Sequence, residues 1–222
     1  MSFIVAIDGP AGSGKGTITK LIGEKFNLTN IDTGAMYRCV TLACLENNIT
    51  DKQLDKIEQI LEKIDIKLKR INDNQIVLLN GKDVTSKIRT TEVDNAVAKF
   101  AALKIVRDKM TPLQREMGKQ DNIIMEGRDI GTVVFPNADV KIFLDCSVEE
   151  RAKRRYKQNI EKGINCSYEE VLKSIKERHL LETKRDIAPF VKAEDAIYID
   201  STNMTIPEVV DKISKIIKEK MN

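Results

Sequence analysis

The sequence predicts a three-layer α/β P-loop fold built on a five-stranded parallel sheet, with a smaller inserted subdomain and a short lid. Three observations predict it. Apolar runs of strand length alternate along the chain with amphipathic stretches of helical spacing. A glycine-rich segment joins the first apolar run to the first helix. Residues 66–85 break the alternation and change to period two, as an inserted antiparallel sheet does. At 222 residues the chain can bury one sizeable core and still carry insertions.

The first strand is Phe3-Ile4-Val5-Ala6-Ile7. The loop Gly9, Pro10, Ala11, Gly12, Ser13, Gly14, Lys15, Gly16, Thr17 follows, and Ile18, Leu21, Ile22 and Phe26 then mark a helix. Strand, glycine loop, helix is the context that a phosphate-binding loop requires. The glycines let backbone N–H groups face a phosphate, the helix dipole adds positive potential, and Lys15 supplies a mobile cation. A solvated turn would not need the lysine or both flanks. Gly16 stands where a serine or threonine usually follows the lysine, and Thr17 comes one position later.

Leu28 to Ile31 reads as the second strand, and Asp32-Thr33-Gly34-Ala35-Met36-Tyr37-Arg38 opens the next helix, capped by Asp32 or Thr33. Residues 49–65 read as a helix with Ile57, Ile60, Leu61 and Ile64 on one face. The period-two segments are residues 66–71 and 75–79. Asn72-Asp73-Asn74 and Asn80-Gly81-Lys82-Asp83 supply the turns. Ser86 to Asn95 opens a polar turn and then a helix, and the next helix runs from Ile105 to Met117. On that second helix Arg107 reads equally as an exposed surface arginine.

Asn122 to Glu126 is the third core strand, and Gly127-Arg128-Asp129-Ile130-Gly131-Thr132 follows it. Taken locally, Arg128 and Asp129 could be a salt bridge holding a turn. Val140 to Asp145 is the fourth strand, and Ser147 and Glu150 suggest a capping box on the helix after it. That helix holds the densest basic run, Arg151 to Lys157. It reads as a lid that brings Arg151 and Arg155 over donor phosphates, although spacing does not separate Arg154 from Arg155. Tyr168 to Lys184 is a helix. Arg178, Glu182 and Arg185 share one of its faces at spacings of four and three. Ala196 to Asp200 is the fifth strand, and an amphipathic helix from Thr205 to Lys220 closes the chain.

Two of these segments carry a resemblance. Asp32-Thr33-Gly34-Ala35-Met36-Tyr37-Arg38, coming after the phosphate loop, and Gly127-Arg128-Asp129-Ile130-Gly131-Thr132 are similar to bacterial cytidylate kinases. The resemblance runs nearly end to end. It implies transfer of the γ-phosphoryl group of ATP to CMP or dCMP, a step of pyrimidine nucleotide metabolism. It also implies Mg²⁺ held through waters and phosphates rather than by direct protein ligands. The loop 9–17 with Arg151 and Arg155 would bind ATP. Thr33 and Arg38 would bind the acceptor phosphate, with Arg107 near the acceptor. Arg128 would bind phosphate, and Asp129 would accept from the cytosine amine. An ionised carboxylate accepts and cannot donate, so it prefers CMP to UMP. Arg178 and Arg185 would serve the phosphates or acceptor, and Glu182 the sugar hydroxyls. Lys15, Arg128 and Arg178 would carry catalysis. The chain departs from the family at Ala98, where serine is common, and at His179 and Glu182, where aspartates stand. The implied division is a core of about residues 1–37, 120–150 and 170–222, a monophosphate-binding insert at 38–119 and a lid at 151–169.

Composition narrows the remaining classes. A net charge of +3 with interleaved acids gives no electrostatic case for nucleic acid. No apolar run approaches membrane-spanning length, and no signal peptide precedes the first strand. Cys39, Cys44, Cys146 and Cys166 lack paired metal spacing and read as free thiols of a cytoplasmic protein. His179, the one histidine, reads as a surface residue. A monomer is expected. A regulatory GTPase would want a hydroxyl directly after Lys15 and an Asn-Lys-x-Asp guanine reader, and neither is present. A UMP or shikimate kinase would share the loop, but Asp129 and the inserted sheet argue against it.

Overall fold

The computed structural model describes residues 2–71, 74–119, 121–161 and 163–221. The chain divides into two compact units. One comprises Met1–Ile31 with Gly118–Asn222, the other Asp32–Met117.

The first unit is built on the sheet order β2-β6-β1-β7-β8, with β1 (Ile4–Asp8) at its centre. The other strands are β2 (Thr29–Asp32), β6 (Ile123–Gly127), β7 (Val140–Asp145) and β8 (Ile197–Asp200). Parallel registers run from Ile4 opposite Ile123 to Asp8 opposite Gly127, and Asp8 also lies opposite Phe143. Strands β1 and β6 are apolar because both faces are covered, as parallel sheets require. Helices α1 (Lys15–Phe26) and α8 (Ile206–Met221) pack on one another. They bury Ile18, Ile22, Ile213 and Ile217 against Val5, Ile7, Ile142 and Leu144. The order places the carboxyl ends of β6, β1 and β7 side by side, where ligands bind in open α/β sheets.

Helices α6 (Val148–Glu161) and α7 (Tyr168–Lys184) pair around Ala152, Val171 and Ile175, with Tyr156 edge-on to Tyr168. The capping box expected at Ser147 is half formed. Ser147 Oγ accepts from Glu150 N, but Ser147 N donates to Thr202 Oγ1 and the Glu150 carboxylate turns to Arg154. The complete box sits on α7, where Ser167 and Glu170 satisfy one another's backbone N–H groups. After β6 the signature segment winds into a single π turn, Ile130–Val134.

The second unit holds α2 (Thr33–Glu46), α3 (Leu54–Lys63), α4 (Thr91–Ala102) and α5 (Lys104–Met117). It also carries an antiparallel sheet of β3 (Ile66–Ile71), β4 (Asn74–Leu79) and β5 (Lys82–Asp83). Met36, Val40, Ile57, Ile88, Val97 and Met110 centre its core. The turn residues Asn72 and Asp73 lie outside the described residues. The second turn is a two-residue hairpin with Asn80 and Gly81 both at positive φ, the conformation Asn-Gly favours. Helix α3 is shorter than the expected 49–65. Ile49 N bonds back to Cys44 O and Gln53 Oε1 accepts from Thr50 N, so a turn precedes Leu54. At the other end Asp65 N donates to Asn80 Oδ1, which commits the chain to the hairpin.

Candidate active site

The glycine loop is fixed by its neighbours. A Cβ on Gly9 would lie 2.0 Å from Leu144 O, so only glycine lets the chain leave β1 past the end of β7. Gly14, at φ 88, is the left-handed N-cap of α1, which sends the chain into the helix with its amides facing the loop. Lys15 opens the helix, and its Nζ donates to Gly9 O and Pro10 O, each at 2.8 Å, and to Ser13 Oγ at 3.4 Å. Burial, followed by the positive charge of Arg128, pushes its pKa down to about 7. Gly16 faces Glu126: a Cβ there would lie 3.4 Å from Glu126 Oε1, which accepts from Thr19 Oγ1 at 3.1 Å. Thr17 is exposed.

Two acids end adjacent strands here. Asp8 accepts from Ile130 N and Gly131 N, each at 2.8 Å, and so anchors the π turn. Burial pushes its pKa up to about 6. Glu126 is the penultimate residue of β6, and Gly127 leads from it into Arg128. Arg128 Nε donates to Glu182 Oε2 at 2.8 Å and its Nη1 to Gly127 O at 3.3 Å. Glu182 Oε1 accepts from Arg178 Nε at 2.9 Å. Burial opposes the Glu182 charge, but Arg128 and Arg178 hold its carboxyl well below the usual carboxylate range. Burial likewise opposes the Arg128 charge, yet Glu182, Glu126 and Asp8 raise its pKa. Buried Asp129 pairs with Arg185 at 3.5 Å, and Arg185 Nε also donates to Ala188 O. The structure thus gathers Lys15, Arg128, Asp129, Arg178, Glu182 and Arg185 in one unit. Asp129 pairs with Arg185 rather than with Arg128 in a local turn bridge. Glu182, expected at sugar hydroxyls, has both oxygens engaged by arginines.

The basic helix contributes selectively. Arg151 is buried, with Nε on Cys146 O at 3.2 Å and Nη1 on Ala11 O at 3.4 Å. Burial lowers its pKa. Arg154, which spacing could not separate from Arg155, donates to Ser201 O at 3.2 Å. It also comes within 3.7 Å of where a Cβ on Gly14 would sit. Arg155 is half-buried.

The second unit carries its own arginine cluster. Asp32 caps α2 through Ala35 N at 3.0 Å and pairs with Arg89 at 2.7 Å, beside buried Thr33. Arg38 donates to Ile88 O at 2.9 Å and forms an ion pair with Asp94. Arg107 is 3 % exposed, donates to Ala101 O at 3.1 Å and lies 5.4 Å from the Tyr37 ring centre. The surface reading of Arg107 is therefore excluded. Ala98 is half-buried on α4. His179, expected at the surface, is half-buried and meets Phe190 edge-on at 5.8 Å.

Sequence reasoning missed Asp8, Arg89, Asp94, Glu126 and Phe190. Asp8 and Glu126 had a signal, since both are acids at the carboxyl ends of strands. Arg89 and Phe190 had none, because their partners are remote in the chain. Cys39, Cys44 and Cys146 are buried, all four cysteines are free, and burial pushes the Cys44 pKa up to about 11. Among the described residues no group of three or more His, Cys, Asp or Glu is placed to hold a metal. Among them, too, no helix is long and apolar enough to cross a membrane.

A sequence model of the cytidylate kinase family matches residues 5–219. The cytidylate kinase of Fusobacterium nucleatum is 51% identical over 218 residues, covering 98% of both chains. That of Bacillus subtilis is 46% identical over 216 residues, covering 97% of this chain and 96% of its own. Among solved structures, shikimate kinase from Acinetobacter baumannii shares the fold, with a TM-score of 0.50 at 16% identity. It covers 99% of this chain and 94% of its own. With both signature segments in place and the match nearly end to end, the chain belongs to the cytidylate kinase family.

Proposed function

We propose that this chain transfers the γ-phosphoryl group of ATP to CMP or dCMP, giving ADP and CDP or dCDP. An oxygen of the acceptor phosphate attacks the γ-phosphorus, the bond from phosphorus to the β,γ-bridging oxygen breaks, and ADP leaves with that electron pair. Such a reaction needs positioning and charge neutralisation more than base catalysis. The observation that carries the reading is the carboxylate-locked set Arg128–Glu182–Arg178, in the same unit as Lys15 and its loop.

The loop 9–17 and Lys15 take the donor β- and γ-phosphates, with Arg151 and either Arg154 or Arg155 on the donor side. Arg154 is favoured because it approaches Gly14. Arg128 and Arg178 meet the transferring group. Their Nε atoms are spent on Glu182, and among the described residues no partner engages the Nη2 of Arg128. Thr33, Arg38 and Arg107 serve the acceptor within the unit Asp32–Met117, which we read as the monophosphate-binding part. Asp129, held by Arg185, accepts from the cytosine amine, and Glu182 acts chiefly by orienting its two arginines. Residues 151–169 act as the lid. The chain works as a cytoplasmic monomer.

Mg²⁺ suits this site as a largely hydrated ion. Gly16 puts no side chain against the Glu126 carboxylate and Thr17 is exposed, and hard oxygen donors with retained waters are what Mg²⁺ prefers. When bound it would neutralise phosphate charge.

The test compares ADP release from ATP and Mg²⁺ with CMP, dCMP, UMP and AMP. Turnover confined to CMP and dCMP is expected, and equal turnover with UMP would sink Asp129 as the base reader. Asp129→Ala should narrow the CMP-over-UMP ratio of kcat/KM by about 10- to 100-fold, the value of a hydrogen bond to a charged group.

A further inference from the structure

Beyond α7 the chain doubles back on itself. Ala188 adopts φ 49, left-handed for a residue with a Cβ, and its carbonyl accepts from Arg185 Nε. Two residues later Phe190 N donates to Glu182 O at 3.0 Å. Backbone strain of this kind persists only where surrounding contacts over-determine it, and it clusters at functional sites. Its effect here is to carry the Phe190 side chain back over the last turns of α7. The ring is 4 % exposed. It stacks on Phe143 of β7 at 5.3 Å and 18°, and meets His179 edge-on at 5.8 Å. The Arg128 guanidinium carbon lies over it, 6.0 Å from its centre.

Packing on Phe143 alone would account for a core residue. Phe190 also presents its ring to the arginine already gripped by Glu182, the residue whose backbone binds Phe190 N. The guanidinium is thus fixed from two directions. Glu182 Oε2 holds Nε, and the guanidinium carbon lies over the ring 6.0 Å from its centre, a placement that the aromatic quadrupole stabilises. An arginine fixed in this way loses less freedom when it engages a phosphoryl group.

We propose that Phe190 is a positioning residue for phosphoryl transfer, acting through Arg128. The proposal rests on the reading that Arg128 meets the transferring group. If it holds, weakening the ring's quadrupole should lower kcat even where the ring's size is kept.

The experiment replaces Phe190 by mono-, di- and trifluorophenylalanine, which drain the ring's negative face with little change of volume, and by leucine. Arg128→Lys and the Arg128→Lys/Phe190→Leu double variant complete the set. Expected is a graded loss of kcat along the fluorinated series, reaching about 3- to 30-fold in Phe190→Leu, the range of a partly desolvated cation–π contact. KM for ATP should move by less than about twofold, since donor binding rests on the loop. The double variant should be no slower than Arg128→Lys alone, because the two residues act as one unit. Wild-type kcat throughout the fluorinated series, or losses that simply add in the double variant, would overturn the proposal while leaving Arg128 in its role. An Arg128→Lys variant with unchanged kcat would remove the role of Arg128 and this proposal with it. Should Phe190→Leu fail to fold, the near-isosteric fluorinated series still decides.

Discussion

At the scale of single residues the chemistry depends on charges kept out of water. Lys15 is the clearest case. Its amine is buried among Gly9 O, Pro10 O and Ser13 Oγ, and burial with the nearby Arg128 charge brings its pKa to about 7. A bound polyphosphate reverses that balance, because negative charge near an ammonium favours the protonated form. Nucleotide binding at about pH 8 should therefore be accompanied by proton uptake, approaching one proton per site. Calorimetric titration in buffers of different ionisation enthalpy measures it, and binding without proton uptake would mean that Lys15 is already charged. Glu182 shows the converse. Its carboxylate stays ionised because two arginines share it, which is how one buried acid orients two cations.

At the scale of elements the site depends on where strands end. The loop leaves β1 against the end of β7, where backbone blocks a side chain: a Cβ on Gly9 would sit 2.0 Å from Leu144 O. No side chain can swing away to relieve it. Gly9→Ala should destabilise by about 1–3 kcal/mol and displace the loop. The checks are a urea midpoint and ATP affinity measured together. Unchanged ATP affinity would show that the loop tolerates a shifted strand end. The same logic explains α7. Its capping box at Ser167 starts a helix of 17 residues, long enough to present Arg178 and Glu182 one turn apart and to end at Arg185.

At the scale of the whole molecule, protonation is linked to stability. Asp8 is raised from 3.8 to about 6, so its burial costs stability fully above pH 6, and the cost is relieved as pH falls from 6 toward 3.8. Lys15 is lowered from 10.5 to about 7, so its cost is full below pH 7 and is relieved as pH rises toward 10.5. Both costs coincide between pH 6 and 7. Glu182 has the opposite sign. It contributes stability above its unfolded value of 4.5, which is lost as pH falls further. The ligand-free protein should therefore show a shallow stability minimum between about pH 6 and 7, with gains of about 1–3 kcal/mol toward pH 5 and pH 9. Urea unfolding followed by circular dichroism checks this. Asp8→Asn should flatten the acid arm and Lys15→Met the alkaline arm.

What the sequence by itself determined was the local part. Apolar runs, glycines and the lysine prescribe the strand–loop–helix unit, because those residue types act on their own backbone and immediate neighbours. The period change at residues 66–85 announced the inserted sheet for the same reason. The two signature segments announced the family before any contact was known. The tertiary structure alone decided which charges meet. Arg128 and Glu182 are 54 residues apart, as are Lys141 and Asp195, and Arg89 and Asp32 are 57 apart. It also decided that Arg107 is buried under Tyr37, that His179 packs on Phe190, and that Phe190 supports Arg128. No spacing rule encodes such pairs. Their energy comes from partners that approach only once the sheet order brings β6 beside β1 and the chain past α7 has turned back.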